Sequence, residues 1–462
     1  MPKIPIIPTL HIPKYLLAFV RHPISALQQI AANYGDIVAF SDINYFNKKP
    51  YKPVVLISHP NYIKHVLKDN VQNYSRGEIV REIKDLSAVD YFLGNGIFLS
   101  DGLDWQQQHE LVKPLFAPDA LAKHYTAVSE EVTLMVAQWR TQSAKNPVID
   151  IESSIHKSAY NILFRTQLVA DKDFDKDPIF DAFQQVMHAV SFNTAIKKFM
   201  QLFVNALVGK KNTEAELKDI HYLEQLVDAM IHQLINKELQ PGALTTVLNE
   251  AYANKTITYK DYRDTIMNFL FAGFETTAAA LCWSLYCFAK NPDEQEKIHQ
   301  ELDANKVARV EDWQQRDLPY LKLCMKEAMR LYPPVWFYMR QCMEDDIIEG
   351  YKIRKGSIVM ITPFVMHQHK DYWSNPQQFS PDNFEKQQLQ GKAFVYIPFG
   401  QGKRTCIGQG FANIQMHMIM AELLSNFSFA SPYKKEPSVN TAIIIKGKKP
   451  LKLVVKSRGA QA

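Results

Sequence analysis

The segment Phe399-Gly400-Gln401-Gly402-Lys403-Arg404-Thr405-Cys406-Ile407-Gly408 sets one cysteine in a glycine-rich loop among cations, directly before an apolar helical run from Phe411 to Leu424. A helix N-terminus presents unpaired N–H groups and a partial positive charge, and both favour a thiolate over a thiol. Gly402 and Gly408 allow the backbone to approach a bound group closely, and Arg404 supplies a permanent cation for an anionic one. These residue types suit a thiolate bound to a metal, whereas a buried structural cysteine after a glycine turn is the plainer alternative. A second constellation lies in the stretch from Tyr262 to Ala289, apolar almost all round and therefore expected in the interior. Inside it sits Ala272-Gly273-Phe274-Glu275-Thr276-Thr277. A carboxylate and adjacent hydroxyls are costly in a buried helix, and hydroxyls can bond the preceding turn and distort it. Taken alone, the pattern fits a kinked core helix with a satisfied glutamate. A third is Glu327-x-x-Arg330, an (i, i+3) ion pair in a helix predicted over Tyr320 to Leu331 and ended by Pro333.

The pattern Phe399-x-x-Gly402-x-Arg404-x-Cys406-x-Gly408 resembles the haem-binding signature of the cytochrome P450 family of haem-thiolate monooxygenases. The resemblance implies haem b as cofactor, with Cys406 as the axial ligand whose thiolate pushes electron density onto iron. It also implies that Phe399 packs beside the sulfur and that Arg404 pairs with a haem propionate. Ala272 to Thr277 is similar to the family's oxygen-activation motif, in which Thr276 hydrogen-bonds the bound dioxygen and Glu275 feeds protons from solvent. Glu327-x-x-Arg330 resembles the family's buried structural pair, and Arg340 matches a position that binds a propionate. The third member of that ionic lock is commonly an arginine; Asn383 stands there, as an amide that can still hydrogen-bond. Trp105-x-x-x-His109 is similar to the family's Trp-x-x-x-Arg segment, with histidine replacing arginine. Residues i and i+4 share a helix face, so both can reach one propionate.

Stepping from these residues to the elements that carry them, the chain reads as strands over Gly35 to Phe40 and Pro53 to Ser58, separated by a polar segment from Asn44 to Tyr51, then a helix over Asn61 to Leu67. From Trp105 to about Leu331 the pattern is largely helical, with helices over Val128 to Trp139, Ile151 to Leu168 and Ala215 to Lys237. Strands follow at Tyr351 to Ile353, Ile358 to Thr362, Ala442 to Ile445 and Leu451 to Val455. The fold class is mainly α with small segregated β-sheets, which is also the fold the resemblance implies. No linker or repeat divides the 462 residues, so one domain is expected, with a β-rich patch near 35–60 and a helical core near 100–430.

Composition narrows the class. Hydrophobic residues make up 47 % and charged residues 22 %, as in ordinary globular proteins. A net charge of +5 without a polybasic tract argues against nucleic acid binding. Five cysteines are too few for a disulfide framework and suit a reducing compartment. Pro2, Pro5, Pro8 and Pro13 interrupt the N-terminal segment, so no transmembrane anchor is expected. A soluble, bacterial, cytoplasmic monomer is therefore expected; docking on a membrane surface through Ile4 to Leu10 is the other possibility.

The resemblance implies insertion of one oxygen atom from O2 into a C–H bond. No flavin or nicotinamide domain is expected, so electrons would come from a separate ferredoxin or flavodoxin with its reductase. Lys113, Lys392, Lys403 and Arg404 would suit an acidic partner by electrostatic steering. A pocket lined by Phe98, Ala272, Thr276, Val335, Trp336 and the segment Thr441 to Ile444 implies a lipophilic substrate. Glu275 and the Gly94-x-Gly96-x-Phe98 turn look similar to soluble bacterial fatty-acid hydroxylases, which makes a fatty acid the leading class. Terpenoids, steroids and natural-product scaffolds are alternatives. Ala272 lacks the glutamate through which some relatives attach haem covalently. Lys48 or Lys49 would anchor a carboxylate, though a polar hairpin tip explains them as well. A peroxygenase or isomerase usually lacks the acid–threonine pair, and a haem sensor would not need it.

Overall fold

The computed structural model describes residues 2–40, 53–76, 92–187, 214–306, 313, 316–384, 393–441 and 444–459. Lys48, Lys49 and Lys392 lie outside these residues. Two short helices open the chain, α1 (Ile12–Arg21) and α2 (Pro23–Tyr34). Proline occupies the first turn of each, where a missing N–H costs no helical hydrogen bond. Both helices lie in a region for which the residue pattern suggested none.

The middle of the chain is helical as expected: α3 (Gly102–Val112), α4 (Tyr125–Lys145), α5 (Ile151–Leu163), α6 (Glu214–Ile235) and α7 (Ala243–Ala253). The long apolar stretch is two helices, α8 (Tyr259–Gly273) and α9 (Glu275–Lys290), broken at Phe274. A capping box between Thr258 and Asp261 starts α8 three residues before the apolar pattern does. As one unit, 259–290 is long and apolar enough to cross a membrane, yet 78 % of its apolar window is buried, as a core helix requires. Helix α9 packs against α5, α11 (Pro319–Leu331) and α12 (Gln409–Asn426), and α10 (Pro292–Ala304) covers the far side of α12.

Beside this bundle lies a five-stranded sheet in the order β1 (Ile37–Ala39), β2 (Val54–Ile57), β8 (Ile358–Ile361), β5 (Tyr338–Cys342), β3 (Tyr74–Ser75). Strands β2 and β8 run parallel and the other pairs antiparallel. The apolar runs in β2 and β8 are continuous because both faces are covered. Val54, Leu56, Ile358 and Met360 enter the main helical core. Their alternates Val55, Ile57, Val359 and Ile361 join a second core with Ile397, Trp373 and Phe384. The smaller sheets are β4 (Val148–Asp150), β12 (Lys452–Ser457) and β9 (Phe427–Ala430) together, a hairpin of β6 (Asp346–Ile348) and β7 (Tyr351–Ile353), and a hairpin of β10 (Val439–Thr441) and β11 (Ile445–Gly447). Of the strand expected over Ala442 to Ile445, Ala442 and Ile443 lie outside the described residues, and Ile445 opens β11, paired with Thr441.

One buried node ties α11 to the loops after β8. Arg330 donates to both carboxylate oxygens of Glu327 at 2.7 Å and to the carbonyls of His367, Pro376 and Gln378 at 2.7 to 3.0 Å. Glu327 Oε1 also accepts from the Ser380 N–H at 2.8 Å and the Asn383 amide at 3.1 Å. Asn383 thus fills the third place in the lock. Such a pair is stable only because nearly every polar atom is matched; removing one partner from a buried pair costs about 3–5 kcal/mol. His367 is held beside it, its Nε2 accepting the Ile397 N–H at 2.8 Å.

Burial, with the Arg330 charge nearby, lowers His367 from 6.5 to about 3. Below pH 6.5 the unfolded chain therefore binds a proton that the folded chain refuses, and stability falls as pH falls. We expect His367→Gln, which keeps an acceptor for Ile397, to remove about 1.4 kcal/mol per pH unit from this acid slope. Urea unfolding midpoints between pH 7 and 5 check this. Parallel slopes for the two proteins would show that His367 is not held neutral.

Candidate active site

The cysteine loop rests on one face of β5. Tyr338 Oη donates to the Ile397 carbonyl at 2.8 Å and accepts the Gly400 N–H at 3.1 Å. Gly402 has φ +77°, and a Cβ there would collide with the Leu67 carbonyl, so the loop and the segment before β3 fit closely only with glycine. The Cys406 N–H donates to the Phe399 carbonyl at 2.9 Å, which closes the loop and sets the thiol just before α12. Phe399 itself is partly buried on the main core. The Gly408 N–H points at the sulfur and favours the thiolate.

Cys406 is exposed, yet burial by surrounding protein is the largest influence on its thiol and pushes it up. The two facts agree if the sulfur faces a hollow inside the protein. Ala272 gives the same sign from the other direction, being exposed on an otherwise buried helix. Phe116 links the two sides: its ring stacks on Phe269 of α8 at 6.1 Å and lies 3.8 Å from where a Gly408 Cβ would stand.

Three guanidiniums gather on the cysteine side. Burial and the mutual repulsion of the cations lower Arg76 to about 9 and Arg340 to about 10, and burial likewise lowers Arg404. Arg340, on β5, bonds the Met339 carbonyl at 2.8 Å. Arg404 bonds Asp101 and the Ser100 carbonyl, and its guanidinium lies 4.3 Å over the buried Trp105 ring. Arg76 lies 3.7 Å over the Phe98 ring, while its own N–H donates to Asp101 at 2.7 Å. Asp101 is the carboxylate that acts on all three. Among the described residues, three buried or partly buried cations thus face the one carboxylate of Asp101, an imbalance that further negative charge would relieve.

On the opposite side, α8 ends where Phe274 leaves helical geometry, and its ring packs among Tyr160, Phe180 and Phe183 at 5.1 to 6.1 Å. Gly273 presses on Leu163 of α5, with no room for a side chain. The Thr276 hydroxyl donates to the Ala272 carbonyl at 2.9 Å, across the break, and stays open to the hollow. Glu275 points away, fully buried. It pairs with Lys446 of β11, accepts from Gln184 at 2.8 Å, and lies 3.9 Å from His156 Nδ1 of α5. Burial alone would raise this carboxyl; His156, Lys446 and Gln184 together outweigh it, so Glu275 is held below its usual range. Lys446 keeps a quarter of its side chain in solvent, giving Glu275 a charged link to the surface.

Among the expected residues, Cys406, Phe399, Arg404, Gly408 and Arg340 converge on the loop, with Trp105 beneath Arg404 and Lys403. His109 stacks on Trp105 at 4.7 Å, with its Nδ1 3.5 Å from Glu110. Phe98 and Val335 are partly open, whereas Trp336 is buried against Phe19 and Phe337. Helix α1 brings Phe19 against Trp336. Arg76, Asp101, Lys446, His156 and Gln184 went unread. Each comes from a different segment with no spacing that relates it to the motifs.

An iron porphyrin with two anionic carboxylate arms fits this arrangement. It would bring the charge that Arg76, Arg340 and Arg404 lack and an open metal position for a single sulfur. Among the described residues no group of three or more His, Cys, Asp or Glu could hold a bare ion instead.

Comparison with known proteins agrees. The cytochrome P450 family model matches residues 6–455. Similar proteins include human cytochrome P450 3A5, 26 % identical over 424 residues that cover 88 % of this chain and 83 % of that one. Dog cytochrome P450 3A12 is 27 % identical over 88 % of this chain and 83 % of its own. Human cytochrome P450 4F8 is 26 % identical, with 89 % and 82 % covered. These relatives are mammalian and do not bear on the expected bacterial origin. With its cysteine loop, its broken central helix and a match across nearly its whole length, this chain belongs to the cytochrome P450 family, monooxygenases that bind haem b through a cysteine thiolate.

Proposed function

We propose that the monooxygenase site of this chain lies between the cysteine loop and the break at Phe274, with Cys406 as the iron ligand. The observation that carries this reading is the exposed thiol in a protein-enclosed setting beside three guanidiniums, Arg340 buried and Arg76 and Arg404 partly so, that share the Asp101 carboxylate. Arg76, Arg340 and Arg404 would hold the propionates, and Trp105 would orient Arg404. When bound, haem supplies the redox chemistry that activates dioxygen and passes one oxygen atom to a C–H bond.

The protein's share is protons, orientation and exclusion of water. At rest the Thr276 hydroxyl satisfies the Ala272 carbonyl. Rotated toward the hollow, the same O–H can donate to an oxygen there and accept a proton from behind. Glu275 is the reservoir behind it: ionised while Lys446 is paired, and driven by burial to take up a proton when Lys446 swings into solvent.

The substrate is lipophilic in this reading, with a fatty acid as the leading class. Apolar Phe98, Ala272 and Val335, all with open surface, support it. Electrons come from a separate donor protein of ferredoxin or flavodoxin type. Exposed Lys68, Lys123 and Lys403, on segments that touch the cysteine loop or the start of α12, suit an acidic partner. The same reading takes the chain as one catalytic unit, monomeric and cytoplasmic.

Titration with medium- and long-chain fatty acids against terpenoids and steroids tests the substrate class. A fatty acid should shift the iron from low to high spin by displacing its water; a shift with terpenoids or steroids alone would contradict it. Thr276→Ala should leave haem and substrate binding intact while lowering product per O2 consumed, because a general acid–base group is lost. An unchanged ratio of product to O2 would remove Thr276 from proton delivery.

A further inference from the structure

Among the buried polar residues of helix α8, Asp264 and Asn268 take no part in proton delivery. Asp264 and Asn268 are 6 % and 1 % exposed, lie one turn apart on one face, and precede Ala272 by two turns and one turn. Such groups are costly in an apolar helix unless each is matched. Theirs are matched by the backbone of one distant turn. The Asp264 carboxylate accepts the Asn95 N–H at 3.0 Å and is itself paired with Lys260. The Asn268 carbonyl accepts the Phe98 N–H at 2.9 Å, and its amide donates to the Leu93 carbonyl at 2.8 Å and the Asp264 carbonyl at 2.6 Å.

The turn is pressed onto the helix at these points. A Cβ on Gly94 would collide with the Asp264 carboxylate, and one on Gly96 with the Asn268 amide. Glycine is required there for close approach as well as for the left-handed φ of Gly94. Beyond the turn the chain reaches the cation cluster, where Arg404 bonds the carbonyls of Ile97 and Ser100. Between these anchors stands Phe98. Its ring meets Phe271 edge-on at 5.5 Å and carries the Arg76 guanidinium 3.7 Å above it.

We propose that Asn268, supported by Asp264, is a positioning residue for substrate selection: it holds Phe98 as a fixed wall beside the Ala272–Thr276 opening and so limits the width of the substrate chamber. The proposal rests on the site proposed above. Phe98 touches substrate in this account, and Asn268 acts only through it. With the Phe98 backbone tethered on both sides, the ring cannot retreat from a bulky ligand without breaking a buried hydrogen bond.

Azole ligands test this without knowledge of the native substrate. Imidazole and a bulky phenyl-substituted imidazole both ligate haem iron through nitrogen, and spectral titration of the haem-loaded protein gives the Kd of each. Asn268→Leu should favour the bulky azole over imidazole by about tenfold relative to wild type, the ratio equivalent to one net hydrogen bond. Phe98→Ala should shift the ratio in the same direction. Gly96→Ala disturbs the contact from the loop side, stays usable if Asn268→Leu fails to bind haem, and should act likewise. The double variant should exceed neither single change, because both break one contact. Kd ratios within twofold of wild type, in variants with unchanged haem content and thermal midpoint, overturn the proposal. Absence of any azole shift in the wild-type protein overturns the underlying site and this inference with it.

Discussion

Excess positive charge buried around the Cys406 hollow is the constraint on which the structure turns. Arg76, Arg340 and Arg404 come from the segment after β3, from β5 and from the cysteine loop, and they meet where one carboxylate, Asp101, serves them all. Their mutual repulsion would open the protein there if nothing held the three segments or completed the charge. The fold answers with stiff supports: the β5–β8 ladder under Arg340, the Trp105 ring under Arg404 and the Phe98 ring under Arg76. An anionic cofactor completes the balance. The same cofactor is what the lone sulfur on that side can ligate, so electrostatics and ligand chemistry point to one molecule.

The two sides of the hollow are held by different physics. The cysteine side is a polar scaffold: Tyr338 and His367 fix the loop's backbone, and the Glu327–Arg330 node fixes the segments that carry His367 and Ser380. The opposite side is steric. Phe274 is wedged among aromatic rings and Leu163 fills the space over Gly273, so the helix breaks and Thr276 can bond the Ala272 carbonyl across the gap. The strap from Leu93 to Asp101 joins both sides, bonded to α8 at one end and to Arg404 at the other.

Much of this was legible in the sequence where function compresses into short spacings. The cysteine loop, Ala272–Thr277 and Glu327-x-x-Arg330 each lie within ten residues, and the family resemblance carried by those spacings made their roles readable. Asn383 in the lock was readable as an amide that could still bond, and it does. Contacts between distant segments were not legible. Lys446 and His156 reach Glu275 from β11 and α5, and Arg76 reaches the cluster from a segment without a motif. Helix α1, unread because its prolines looked like breakers, likewise brings Phe19 against Trp336. Of the run Ala442 to Ile445, Ile445 opens β11 and pairs with Thr441.

The central claim is that Cys406, and no other group, ligates the haem iron in this hollow. Its most direct test is the carbon-monoxide difference spectrum of the reduced, haem-loaded protein, compared between wild type and Cys406→Ser. The account predicts the red-shifted band of a thiolate-ligated haem in the wild type and its loss in Cys406→Ser. Survival of that band in Cys406→Ser, or its absence from correctly folded, haem-loaded wild type, would contradict it.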